Sequence, residues 1–162
     1  MSAAQQELIK RLGRLGIDTK TFSHPAVYTV EEAKALRGRL PGAHSKNLFL
    51  KDKKNCFWLV VTLEDKTIDL KVLRKTIGAA PLSFGKTNAL VEKLGVEPGS
   101  VTPFSIINDK KQLVKVVFDK DFLSFDPLNF HPLVNTATTQ ISKDGLLTFV
   151  NDCGHKPIIL TL

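Results

Sequence analysis

Cysteine, tryptophan, tyrosine and methionine are scarce in this sequence: two cysteines and one each of the others among 162 residues. Two cysteines cannot build a disulfide framework, so Cys56 and Cys153 are expected as reduced thiols. A domain of this length buries about 70% of its unfolded surface and folds without metal or disulfide. No stretch approaches the roughly 20 apolar residues of a membrane span. The N-terminal MSAAQQELIKRLGRLG mixes charge into an amphipathic pattern and lacks the apolar run of a signal peptide, so the expected compartment is the cytoplasm. Familiar catalytic signatures are missing too: there is no P-loop, dinucleotide fingerprint, HExxH, CxxC or GxSxG. Cys153-Gly154-His155 has too few ligands for a zinc site, and is read as a helix C-terminus with Gly154 as its cap. No cofactor and no metal is implied.

What is present is positive charge, a formal net +7. Such a balance suits polyanionic partners such as RNA, because each neutralised phosphate releases counterions. It also serves solubility alone, so charge does not decide between the two. Aromatics make up 7% of the chain, and no aromatic-rich stacking signature occurs. An RNA partner would therefore be read by its backbone and shape more than by splayed bases.

A chain 43% hydrophobic and 24% charged, with no repeat, low-complexity tract or long linker, reads as one domain over residues 1–162. Leu8, Leu12 and Leu15 at helical spacing predict a helix over 4–15 stopped by Gly16, then a strand over 17–23 and a turn at His24-Pro25. Thr29 with Glu32 resembles a capping box opening a helix to about Arg37. KNLFLKD and NCFWLVVTL read as a buried hairpin with the solvent-facing tip Asp52-Lys53-Lys54-Asn55. Asp69 caps a helix over 70–77, and 87–94 is another, ending at Gly95. FSIIN and LVKVVF are read as strands joined by the solvent-facing turn Asn108-Asp109-Lys110-Lys111. A turn through 119–128, strands near 128–131 and 136–141, a helix capped by Ser142 and a terminal strand in KPIILTL complete the chain. The expected class is α+β with a curved mixed β-sheet flanked by helices.

Three places are candidates for chemistry. Lys46 begins a predicted strand directly after a Gly/His/Ser loop, where its ammonium either overhangs a pocket or solvates a strand edge. The loop Gly99-Ser100-Val101-Thr102-Pro103 is either a plain connection or a frame presenting backbone N–H groups to a carbonyl or developing oxyanion. His131-Pro132 follows a predicted strand and reads as a turn or, in the company of the other two, as a catalytic base.

Four stretches decide between these alternatives: HPAVYTVEEA (24–33), GAHSKNLFLKDKK (42–54), GSVTPFSIINDKK (99–111) and FHPLVNTATT (130–139). Together and in this order they resemble the prolyl-tRNA synthetase-associated, or YbaK-type, aminoacyl-tRNA deacylases, most of all the free-standing alanyl-tRNA(Pro) deacylases. The resemblance runs over almost the whole chain. It implies a trans-editing hydrolase that cleaves the ester of mischarged tRNA(Pro), with alanine as the expected amino acid. Deacylation of Cys-, Ser- or Thr-tRNA, or non-catalytic tRNA binding, stand as alternatives. By motif, Lys46 matches the family's pocket lysine with Asn47 beside it, and Gly99, Ser100, Val101, Thr102 and Pro103 match its GxxxP loop. His131 matches a pocket histidine, and Tyr28, Thr29 and Val30 fall in a segment that walls the pocket. The implied partners are the tRNA(Pro) acceptor end and prolyl-tRNA synthetase or another synthetase.

An activated ester with a neighbouring ribose hydroxyl needs no strong nucleophile from the protein. The expected work of these residues is positioning and charge stabilisation. A pocket that admits alanine and excludes the proline ring would spare the correct product.

Overall fold

The computed structural model describes residues 2–26, 29, 31–32, 35 and 40–162. Helix α1 (Ala3–Arg14) starts on a capping box in which Ser2 and Gln5 exchange hydrogen bonds, and it buries Leu8 and Leu12. Strand β1 (Thr19–Ser23) follows. The Thr29 hydroxyl accepts from the Glu32 N–H, and Glu31, Glu32 and Ala35 are helical. The rest of that expected helix lies outside the described residues, as do Tyr28 and Val30.

The hairpin forms as read, from β2 (Ala43–Asp52) and β3 (Phe57–Leu63). Its first strand starts three residues before Lys46, earlier than the sequence pattern predicts. Gly42 sets that start: its φ is +95°, and a Cβ there would stand 2.0 Å from the Pro127 carbonyl oxygen. That same carbonyl accepts from the Ala43 N–H at 3.0 Å.

Asp69 caps α2 (Leu70–Ile77) through the Lys71 N–H, and Gly78 ends it. Strand β4 (Leu82–Phe84), unseen in the sequence pattern, leads to α3 (Thr87–Leu94) and its cap Gly95. After the 3₁₀ helix Pro103–Asn108 come β5 (Val114–Asp119), α4 (Lys120–Leu123), β6 (Leu128–Phe130) and β7 (Ala137–Ile141). Ser142 caps α5 (Lys143–Asp152) through the Gly145 N–H, and β8 (Ile158–Leu160) closes the chain.

Two expectations fail in one segment. FSIIN is a 3₁₀ helix rather than a strand, because Pro103 opens it and the Thr102 hydroxyl and carbonyl accept from Phe104 and Ser105. Residues 108–111 are therefore no hairpin tip. Asp109 is buried, its carboxylate accepting from the Leu113 and Val114 N–H groups at 3.0 and 2.8 Å and lying 2.8 Å from His155 Nε2. Asp52, expected at a solvent-facing tip, is buried as well and accepts from Lys54 N, Cys56 N and Trp58 Nε1.

The strands form one mixed sheet in the order β1-β7-β6-β2-β3-β5-β8, with β4 also on β2. β2 runs parallel to β6, β3 to β5 and β5 to β8; the other pairs are antiparallel. Side chains alternate between its two faces. Phe49, Leu59, Val61, Val116 and Phe118 point into the larger core, with α1, α3, the 3₁₀ helix and α5. Leu50, Trp58, Val60 and Val117 meet α2 on the other face. Each large apolar side chain buried this way contributes about 1.5–3 kcal/mol, so the two faces fix the register that places the polar residues below.

Candidate active site

The site follows from how β2 is paired. One edge carries β3 along Ser45–Lys51. The opposite edge meets β6 only at Ala43 and His44, and β4 only at Leu50–Asp52. Among the described residues no strand covers that edge over Ser45–Phe49. The Ala43 N–H goes to Pro127 on this side and the Phe49 carbonyl receives Gly85, so the backbone of the odd-numbered residues, Asn47 included, faces the gap. β2 and β6 therefore part beyond His44, and the gap between them is where an unpaired strand edge is open to a ligand.

Lys46 lies on the face of Thr62, its partner in β3. The strand register pairs His44 with Asn129 and runs on in the direction of Lys46 and His131. Lys46 Nζ donates to the carbonyl oxygen of Lys66. The Lys66 ammonium in turn sits 2.8 Å from both Asp119 Oδ2 and Asp121 Oδ2. That pairing raises the Lys66 ammonium above the ordinary lysine value, Asp119 first and Asp121 next. Burial pushes the Asp119 carboxyl up, but hydrogen bonds from Lys66, Thr62 and the Asp121 and Leu162 N–H groups outweigh it and leave it below the usual carboxylate range.

His131 is half-buried at the end of β6. Its Nδ1 lies 3.1 Å from the Ala137 carbonyl and must donate to it, which leaves Nε2 with the lone pair in the neutral ring. Burial lowers its pKa below the ordinary 6.5, the Ala137 carbonyl opposes this, and the neighbouring His24 adds to it. The two imidazoles lie 6.4 Å apart, and His24 Nε2 is 2.8 Å from the Thr138 hydroxyl.

Asn47 occupies the other face, toward the larger core. Its Nδ2 donates to Ser45 Oγ at 2.9 Å, and the Ser45 hydroxyl donates to the Asn129 carbonyl at 3.3 Å. Asn47 Oδ1 is buried and has no partner among the described residues. Asn129 Nδ2 ties β6 to the approach segment through the Pro41 and Ala43 carbonyls, both at 3.0 Å.

The 99–103 loop turns on Gly99, whose φ is +89°. The Ser100 N–H is taken by the Glu97 carbonyl. Among the described residues the Val101 and Thr102 N–H groups have no partner, which narrows the possible ligand-facing donors of this loop to those two. Thr102 and Pro103 are buried, and the loop runs straight into Phe104, whose ring meets Phe130, the residue before His131. The structure thus places Lys46 and Asn47 on the unpaired stretch of β2, on opposite faces of the sheet, and His131 just past the end of β6, to which the Phe104–Phe130 contact ties the loop. Thr29 is an exposed residue whose hydroxyl caps the Glu32 N–H. Sequence reasoning did not single out His24, Ser45 or Thr138, although the quoted motifs contain all three.

A mixed sheet of this connectivity defines a known class of fold. A solved structure proposed to be a trans-editing enzyme for prolyl tRNA synthetase has it: the TM-score is 0.75 over 100% of this chain and 99% of that one, at 20% identity. Residues 24–149 match the aminoacyl-tRNA editing domain family, and the chain belongs to that family. It is 44% identical over 164 residues to the Mus musculus prolyl-tRNA synthetase associated domain-containing protein 1, covering 98% of this chain and 96% of the relative. It is 37% identical over 153 residues to the prolyl-tRNA editing protein ProX of Acetoanaerobium sticklandii, covering 94% and 93%. The family and the fold class implied by the sequence resemblance are therefore correct. No described helix is long and apolar enough to cross a membrane.

Proposed function

We propose that this chain is a single cytoplasmic trans-editing domain that hydrolyses the ester of mischarged tRNA(Pro), with Ala-tRNA(Pro) as its substrate. The observation that carries the reading is the uncovered stretch of β2 at Ser45–Phe49, which bears Lys46 and Asn47, with His131 just past the end of the neighbouring strand β6. An aminoacyl group carries a carbonyl oxygen and an amine. Both find complementary partners in a strand edge that bears a free Asn47 Oδ1.

In the proposed reaction water adds to the ester carbonyl and the C–O bond to the terminal ribose breaks. The products are the free amino acid and a 3′-hydroxyl that receives a proton. The Lys46 ammonium, holding one hydrogen bond to Lys66, keeps two donors for the developing oxyanion or the terminal phosphate. The Val101 and Thr102 N–H groups offer further donors at the loop. His131, a weakened base with a lone pair on Nε2, suits accepting a hydrogen bond from the ribose 2′-hydroxyl and orienting it.

The tRNA acceptor strand has a matching surface on the same strand. Lys51 stands five residues from Lys46, about 17 Å along β2 at roughly 3.3 Å per residue and on the opposite face of the sheet, so the RNA end would pass around the open strand edge between them. A groove of about 450 Å³ there is lined by Lys51, Lys53 and Lys86, with Phe84 beside it 65% exposed. Phosphates between the lysines and a base against Phe84 fit a single-stranded RNA end.

The deciding experiment measures hydrolysis of Ala-tRNA(Pro), Pro-tRNA(Pro) and Ala-tRNA(Ala) side by side. Turnover of the first with Pro-tRNA(Pro) left intact is expected. Failure to hydrolyse Ala-tRNA(Pro), with turnover of Ser- or Thr-tRNA instead, would move the substrate within the family. Tight RNA binding with no hydrolysis of any ester would sink the enzymatic reading.

A further inference from the structure

We propose that Asp119 is a positioning residue for Lys46, acting through Lys66. This rests on the reading of Lys46 as the site lysine. Asp119 ends β5, one residue past the last rung with β3, and its side chain is fully buried. Each of its oxygens is engaged. Oδ2 accepts from the Thr62 hydroxyl at 2.6 Å and from Lys66 Nζ at 2.8 Å; Oδ1 accepts from the Asp121 N–H at 3.1 Å and the Leu162 N–H at 3.4 Å.

The geometry runs in one direction. Thr62 is the cross-strand partner of Lys46, so Asp119 reaches β3 at the same level of the sheet as the site lysine. Lys66 follows the turn that leaves β3, and that turn is held to β2 through the Glu64 N–H on the His44 carbonyl. Fixing the Lys66 ammonium on Asp119 and Asp121 fixes its backbone, and the Lys66 carbonyl is what Lys46 Nζ donates to. A lysine ammonium on four rotatable bonds samples a wide volume unless one donor is anchored. Anchored here, the ammonium is held in one orientation at the end of β3, with two donors left for a ligand. A misplacement of about 1 Å can cost a factor of about a hundred in rate, so a residue that never touches substrate can still set it.

The test uses the full chain with Asp119→Asn. Because removing a fully buried carboxylate risks the fold, Lys66→Met is made as well, which cuts the link but keeps the backbone carbonyl. Lys66→Arg serves as the conservative rescue. Trace acetylation of Lys46 by acetic anhydride, read by mass spectrometry of its peptide, should rise about threefold in folded Asp119→Asn and Lys66→Met and return to wild type in Lys66→Arg. With Ala-tRNA(Pro), kcat should fall about tenfold while KM stays within about twofold. A purely structural role would lower Tm and leave Lys46 labelling in the folded protein unchanged. Unchanged labelling overturns the proposal, as does raised labelling with kcat unaltered. Full activity of Lys46→Ala would instead sink the site reading of Lys46, and the labelling arm would still decide whether Asp119 holds that side chain.

Discussion

Phe104 meets Phe130 edge-to-face, with ring centroids 5.6 Å apart and planes at 80°. Both rings are buried, Phe104 completely. One follows Pro103 and the other precedes His131, so this single contact couples the position of the 99–103 loop to the end of β6. The pair also touches Phe149 of α5 and Phe122 of α4.

Truncating this contact should therefore act on both stability and catalysis. Phe104→Ala is expected to cost about 3–5 kcal/mol of stability, measured by urea unfolding. Phe104→Leu keeps most of the volume and should cost less than about 1.5 kcal/mol. It still removes the edge-to-face geometry, and deacylation by the folded Leu variant should drop several-fold. Wild-type turnover in Phe104→Leu would show that the loop does not depend on β6 for its position.

Much of the fold was legible because its signals are local. Ser142, Asp69 and Gly95 each act within a few residues, and each starts or ends the helix read from it. The segment 104–107 was not legible, because a mostly apolar run buried at every position has no period that separates a strand from a 3₁₀ helix. The open edge of β2 exists only because β6 and β4 each pair with a different end of it, which no local pattern records. The acceptor for Lys46 lies twenty residues away in sequence and is a backbone carbonyl, so residue type carries no trace of it.

Asp109 shows what the misread turn conceals. Its carboxylate satisfies two backbone N–H groups and His155, and both side chains are almost completely buried. Asp109→Ala leaves those donors unpaired in the interior and should cost about 3–5 kcal/mol. A solvent-facing turn residue would change stability by less than about 0.5 kcal/mol. A chemical-denaturation midpoint within error of wild type would place Asp109 on the surface after all.

The buried His131 gives a pH dependence with a defined sign. Its pKa is lower in the folded protein than the ordinary 6.5, so near that pH the unfolded chain binds more protons than the folded one. Stability therefore rises with pH through this window and is lost as pH falls through the folded value. Protonation also removes the Nε2 lone pair proposed to meet the 2′-hydroxyl, so kcat should fall along the same acid limb. Melting curves from pH 5 to 8 test the first statement, with His131→Gln as the flattened control. A Tm profile identical in wild type and His131→Gln would remove His131 as its source.

The lysine groove makes the last prediction, and salt separates its two components. If Lys51, Lys53 and Lys86 contact phosphates, each substitution by alanine should reduce the slope of log affinity against log salt by about 0.7–0.9. Phe84→Ala should weaken binding by about 1–3 kcal/mol and leave that slope unchanged, because a stacked base exchanges no counterion. Lys86 also precedes α3 without a side-chain cap, so its replacement disturbs no helix-capping bond and reports on RNA alone. The measurement is titration of deacylated tRNA(Pro) at several salt concentrations. A triple lysine variant that keeps both the wild-type slope and the wild-type KM would move the acceptor strand to another face, and leave Phe84 as an exposed ring with no ligand.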